Sequence, residues 1–428
     1  MKILSCQFTI TSLLLLFTSF SPLSLGLSST SCDVMEYGAI GDGETDDTSS
    51  IQVAIDSNEC DSILLPKGKT YVSGSLFLKA NMELVVDGVL LGSPDYKNQE
   101  VWPKIYTRRA GLMVNTTASL LNGGQCKKMI DDYIPIPPYV HGDQCEDWDV
   151  LINVTIRGEG TINGNGNCGW AIDEKTKNNR PTMLGLGHIS DLKVLDLTLT
   201  NPAFWTCHVL FSKNVYITNL RIETSSDDTV NNADGIDPDS SQNVLIENCS
   251  ISSNDDVIAI KSGINEDGRA VGIPSQNITV RNMYFEKGHG IAIGSETSGD
   301  IRDVTISDIR LNGTDRGVRI KSQAGRGGVV ENIVYERINM TDVETAISIT
   351  MEYTDDGHGE LPVFQDITVR DITGEGIEEC GEIVCEKRSR CTGMVFDNIK
   401  LNAEQNYDKC QYVEGEQLNT NPPIPCVE

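Results

Sequence analysis

A nine-residue phrase recurs along the chain. It starts at Asp191, Asn214, Asn243, Asn277, Asp303 and Asn332, with a weaker copy at Asp366. Each copy opens on Asn or Asp, or a near equivalent, and places aliphatic or similar residues at its second, fourth, seventh and ninth positions. The starts are 23, 29, 34, 26, 29 and 34 residues apart. Period-two alternation within a phrase marks two short strands with one face buried. A repeat of this length built from short strands indicates a solenoid, in which each unit covers the core of the next. No helix-length amphipathic segment separates the copies, which disfavours a doubly wound sheet or a (β/α)₈ barrel. The expectation is an all-β parallel β-helix of about three strands per coil, whose stacking leaves sheet edges only at its ends.

A second repeat runs in register with the first: Val257-Ile-Ala-Ile-Lys-Ser, Gly290-Ile-Ala-Ile-Gly-Ser, Gly317-Val-Arg-Ile-Lys-Ser and Ala346-Ile-Ser-Ile-Thr-Met. Its Ile and Val positions face the core. Ala259 and Lys261, Ala292 and Gly294, Arg319 and Lys321, and Ser348 and Thr350 then face outward on one sheet. Small residues beside cations on an exposed face suit the floor of a cleft.

One coil back, Gly235-Ile-Asp-Pro-Asp-Ser joins the same register. The residues ahead of each strand form a column of Asp234, Asp256, His289 and Arg316, with Asp255 beside Asp256. Stacked strands lie ~4.8 Å apart, so three carboxylates crowd together. Their repulsion raises the pKa of at least one, as a general acid requires. Strict alternation from Ile258 and Ile260 would turn Asp256 inward, so this arrangement needs a bend at residues 254–256. Other Asp-Asp pairs have plainer explanations. Asp46-Asp47 precedes a short helix over 49–56 and suits N-capping. The pairs at 131–132, 227–228 and 355–356 sit among turn residues. His141, His188 and His358 are taken as structural or surface residues, and His208, near Trp205, as a candidate for the cleft edge. Arg319 and Lys321 could pair with a nearby carboxylate such as Asp239, but two outward cations on so acidic a chain favour an anionic ligand, for which Arg offers a planar fork.

Four ordered blocks resemble glycoside hydrolase family 28, the polygalacturonases. Asn232-Ala-Asp, Asn254-Asp-Asp, Gly288-His-Gly and Arg319-Ile-Lys stand beside the family's Asn-Thr-Asp, Gly-Asp-Asp, Gly-His-Gly and Arg-Ile-Lys. The segment from Asp33-Val through Asp46-Asp-Thr resembles the usual opening of such domains. The resemblance implies a single-stranded right-handed parallel β-helix of the pectin-lyase-like kind and inverting hydrolysis of polygalacturonan. It implies Asp255 as general acid, Asp234 and Asp256 as activators of water, and His289 as tuner of the acid. Arg319 and Lys321 would hold the sugar carboxylate, with Tyr353 at a sugar-contacting position. Ala233 and Asn254 depart from the family pattern, and neither change removes a charged group.

Charge and cysteine content set the surroundings. The formal net charge is −28, which argues against nucleic acid or anionic membrane partners. A basic Lys2, an apolar run including Leu13 to Phe17, and small residues around Ser24 and Gly26 read as a secretory signal peptide over 1–26. Residues 27–428 then form the β-helix catalytic domain, with a Cys-rich tail at about 374–428. Twelve of the thirteen cysteines lie beyond that leader, and with six sequons (Asn115, Asn153, Asn248, Asn277, Asn312, Asn339) they suit an oxidising, extracellular destination. No cofactor is expected. The expected partner is the pectin substrate, and the chain is expected to act as a monomer. Three alternatives remain open: a hydrolase of rhamnogalacturonan or another decorated pectin, a Ca²⁺-dependent pectate lyase, and a non-catalytic carbohydrate-binding β-helix.

Overall fold

The computed structural model describes residues 30–129, 142–170, 179–224, 230–354 and 357–427. The leader, His141 and the aspartate pairs at 131–132, 227–228 and 355–356 lie outside them. A single 29-stranded sheet, paired in parallel from coil to coil, winds through the chain as a right-handed parallel β-helix. The nine-residue phrase generates this winding. Its first residue adopts positive φ in every copy: 63° at Asp191, 56° at Asn214 and Asn243, and 55° at Asn277, Asp303 and Asn332. So does its sixth, for example Asn219 at 57° and Asn248 at 56°. Asn and Asp tolerate the left-handed region better than other L-residues, and each such residue turns the chain between faces.

Those turn residues also bond along the solenoid. Asn214 donates to Asp191 at 3.0 Å, Asn243 to Asn214 at 3.0 Å, and Asn277 to Asn243 at 2.8 Å. The intervening aliphatic positions stack inside: Val215, Val244, Ile278, Val304 and Ile333 follow one register column and are essentially inaccessible. From Ser275 onward, two faces of each coil merge into one long bent strand, as in Ser275–Lys287 and Ile301–Asn312.

The N-terminal end is covered by the helix Thr48–Asp56. Its cap differs from expectation. The Asp46 carboxylate accepts from Thr48 N at 2.9 Å, while Asp47 turns away to accept from Ile40 N and Gly41 N. Disulfides join Cys32 to Cys60, Cys126 to Cys145, Cys385 to Cys391 and Cys410 to Cys426. Cys168, Cys207, Cys249 and Cys380 are free thiols, so the even cysteine count does not mean full pairing. The sequences around the last two disulfides form the final coils, Val363–Val384, Cys391–Gln411 and Val413–Leu418. All six sequon asparagines are exposed. No helix among the described residues is long and apolar enough to cross a membrane.

Candidate active site

The site lies on one sheet of the solenoid. Its strands are Leu184–Gly187, Cys207–Leu210, Ile236–Asp239, Ile258–Ile260, Ile291–Gly294, Arg316–Lys321 and Thr345–Thr350, each paired with the next. Ile236, Ile258, Ile291 and Val318 share a register column. Two residues earlier in each coil stand Asp234, Asp256, His289 and Arg316, as the spacing predicts. The required bend is present: the chain turns at Asn254 and Asp255 before Ile258–Ile260 begins, which releases Asp256 from strand alternation.

Asp255 is the accessible carboxylate, with 21% of its side chain exposed, against 4% for Asp234 and 2% for Asp256. His289 Nδ1 lies 3.2 Å from Asp255 Oδ1, and its Nε2 lies 3.1 Å from Asp315 Oδ2. The glycines flanking His289 permit this close packing. A Cβ at Gly288 would come within 2.7 Å of Asp255 O, and one at Gly290 within 2.2 Å of Arg316 O; both glycines have positive φ. Burial pushes Asp255 upward, but the hydrogen bond and charge of His289, followed by Lys321, outweigh it and hold the carboxyl at about 2. His289 is raised in turn, first by its bond to Asp255.

Arg319 and Lys321 both engage Asp256, with Arg319 Nη1 2.9 Å from Oδ1 and Lys321 Nζ 2.6 Å from Oδ2. Asp239 is therefore not their partner. It binds Arg108 at 2.7 Å and His208 at 3.1 Å. Tyr353 stands over the cations, its ring 5.9 Å from the Arg319 guanidinium and 5.1 Å from Lys321 Nζ. All seven residues singled out from sequence thus gather at one cleft. His188 is structural, stacked on Trp148 at 3.8 Å, and His358 is exposed.

The raised carboxyl falls on Asp234, lifted to about 7 by burial and then by Asp255 and Asp256, against the lowering charge of Lys261. Asp237 beside it is also raised, by burial and by Asp234. Lys261 serves both, at 3.2 Å from Asp234 Oδ2 and 3.5 Å from Asp237 Oδ1, and lies over Trp205 at 4.6 Å. Asp237 was not expected in the site, Lys261 was expected only as part of the cleft floor, and Asp239 only as a possible partner of Arg319 and Lys321. The signal was available: in Gly235-Ile-Asp-Pro-Asp-Ser the two aspartates hold the same outward positions as Ala259 and Lys261.

Asp255, Asp256 and His289 each place one ligand atom within 4.8 Å of the others, the one grouping among the described residues with metal-ligand spacing. Arg319 and Lys321 already neutralise Asp256, which disfavours a further cation there.

Residues 147–420 match the family model Glycosyl hydrolases family 28, and residues 31–157 match Rhamnogalacturonase A/epimerase, pectate lyase-like. A Vitis vinifera protein named "Probable polygalacturonase" is 30% identical over 423 residues, covering 92% of this chain and 80% of that one. An endo-polygalacturonase of Pectobacterium parmentieri is 30% identical over 384 residues, covering 84% and 85%. An exopolygalacturonase structure from Thermotoga maritima shares the fold, with a TM-score of 0.76 at 24% identity over 90% of this chain and 91% of that one. The cleft of carboxylates on a β-helix is that of a glycoside hydrolase. This chain belongs to glycosyl hydrolases family 28.

Proposed function

We propose that the protein is a secreted polygalacturonase that hydrolyses α-1,4-galacturonosidic bonds of pectin with inversion. The observation that carries this reading is the meeting of a three-aspartate cluster with Arg319, Lys321 and Tyr353 in one cleft of an otherwise strongly acidic protein. Cations concentrated there suit a sugar carboxylate. The named relatives, polygalacturonases from a plant and a bacterium, agree with that substrate.

Asp255 protonates the glycosidic oxygen, being the carboxyl most open to the cleft. In the free protein His289 holds it ionised. Substrate binding strips water from Asp255, which raises its pKa, and the His289 imidazolium lies within bonding distance to pass it a proton. Asp256, held in the floor by Arg319 and Lys321, takes the proton of the attacking water, and Asp234, which carries a proton below about pH 7, orients that water. Asp255 and Asp256 place carboxylate oxygens within 4.8 Å of each other, closer than the ~6.5–9.5 Å usual for an inverting pair. Arg319 and Lys321 hold Asp256 and meet the substrate carboxylate, and Tyr353 packs against the sugar.

Replacement of Asp255 by Asn should abolish hydrolysis of polygalacturonate, with a loss of ~10²–10⁴ in kcat, while melting temperature and substrate binding stay near wild type. A variant keeping more than half of the wild-type kcat would remove Asp255 from the role of acid.

A further inference from the structure

By register, one outward column of the floor runs through Asp239, Lys261, Gly294, Lys321 and Thr350. Its two lysines stand on either side of Gly294, two strand spacings or ~10 Å apart. No larger residue fits between them: at Gly294, where φ is 91°, a Cβ would lie 2.1 Å from Lys321 O. The space above this gap belongs to the cleft of about 340 Å³ that Asp234, Asp255 and Asp256 also line.

The two lysines take different carboxylates. Lys321 Nζ holds Asp256 at 2.6 Å, whereas Lys261 Nζ lies 3.2 Å from Asp234 Oδ2 and 3.5 Å from Asp237 Oδ1. Among the described residues Lys261 is the one cation within ion-pair distance of Asp234, and Asp234 Oδ1 has no hydrogen-bond partner. The hold on Asp234 therefore depends on a single side chain.

That side chain is firmly seated. The backbone N of Lys261 donates to Pro238 O at 2.8 Å, and its carbonyl accepts from Ser240 N at 3.0 Å and Ser275 Oγ at 2.7 Å. Its ammonium lies 4.6 Å from the centre of the Trp205 ring, a cation–π contact, and 6% of the side chain is exposed. Burial disfavours the ammonium, yet Asp234, then Asp237 and Glu296, outweigh it and hold Lys261 well above its ordinary pKa. One cation facing three acidic side chains has no charge left for a sugar carboxylate. Arg319 and Lys321 differ, being two cations that share one aspartate.

We infer that Lys261 is a positioning residue of the hydrolysis, holding Asp234 as Lys321 holds Asp256, so that each carboxyl group that handles the attacking water is fixed by a lysine of the same floor column. The inference rests on the hydrolase reading above. Lys261→Met keeps the length of the side chain and removes its charge. It should lower kcat on polygalacturonate about ten- to a hundredfold, the scale of misplacing a reacting group by about 1 Å, with KM within about twofold of wild type. The pH–rate profile should move as well. Asp234 is surrounded by Asp237, Asp255, Asp256, Lys261 and Lys321, and Lys261 is the strongest of the charges that lower it. Without that charge Asp234 keeps its proton to higher pH, and the limb that follows it should shift upward. Lys261→Met combined with Glu296→Gln removes the cation together with one acidic neighbour and is read in the same way, so a folding defect of the single variant leaves the test standing. A kcat above half of wild type, an unmoved pH profile, or a loss carried by KM would each overturn the assignment and leave the hydrolase reading intact. Absence of hydrolysis by the wild-type enzyme would remove that reading and this inference with it.

Discussion

Truncation of Lys321 to Ala separates two roles that the structure combines. Its ammonium is 2.6 Å from Asp256 Oδ2 with 6% of the side chain exposed, and Arg319 remains on the other oxygen at 2.9 Å. Removing one partner of a buried pair costs ~3–5 kcal/mol when the charge left behind is uncompensated. With Arg319 in place, a loss of about 1–3 kcal/mol is expected. Lys321 also lowers the pKa of both Asp255 and Asp234, so both should rise when its charge is gone. At an effective dielectric of ~20, removing a unit charge from within the cluster is worth on the order of 1–2 kcal/mol, a shift on the order of one pKa unit. Hydrolysis that needs one acid and one base has a bell-shaped rate profile, and here it should move toward neutral pH as a whole, its limbs belonging to the coupled cluster. KM for polygalacturonate should also rise more than KM for a methyl-esterified substrate of equal length. The assay is kcat and kcat/KM from pH 3 to 8 on both substrates, with melting curves. An unmoved pH profile would refute the electrostatic role, and an equal KM penalty on both substrates would refute the contact with the sugar carboxylate.

Activity should survive EDTA and be indifferent to added Ca²⁺, because two cations already occupy Asp256. Loss on chelation with recovery in Ca²⁺ and an unsaturated product would favour a lyase. Stability should peak near pH 4–5. The Asp255 contribution, with a folded pKa of about 2 against 3.8, is present above the unfolded value and lost as pH falls toward 2. Asp234, with a folded pKa of about 7 against 3.8, keeps a proton that the unfolded chain has released, so stability falls between about pH 4 and 7, by at most ~1.4 kcal/mol per pH unit from this group. Asp237 adds in the same direction, and the stabilisation from protonated His289, complete below 6.5, is lost as pH rises through its elevated pKa. Asp234→Asn should flatten the fall between pH 4 and 7 in thermal melts, and an unchanged slope would contradict the assignment.

The solenoid was legible because one residue type at one phrase position does two jobs. Asn214, Asn243 and Asn277 turn the chain at positive φ and bond to the coil before, so the repeat is written directly in the sequence. The column from Asp234 to Arg316 followed from the same register. The protonation pattern was not legible. Repulsion among three carboxylates says that one must rise, but burial and the reach of His289 and Lys261 decide which, and these depend on packing across residues 234 to 289. The partner of Arg319 and Lys321 was hidden for a related reason, since long side chains cross coils and register alone favours no single carboxylate. Arg108 lies on a hairpin outside the repeat, so no periodicity points to it.

Inverting hydrolysis at this cluster fixes the anomeric form of the first product. Proton NMR of polygalacturonate during the first minutes of digestion reports the new reducing end before mutarotation scrambles it. Inversion of an α-linkage requires the β-anomer first, with the α signal growing later at the rate of spontaneous mutarotation. The close approach of Asp255 and Asp256 makes the result informative, because retaining pairs are also close, at ~5–5.5 Å. An α-anomer appearing first would show that one of these aspartates is a nucleophile and would contradict the mechanism derived from the site.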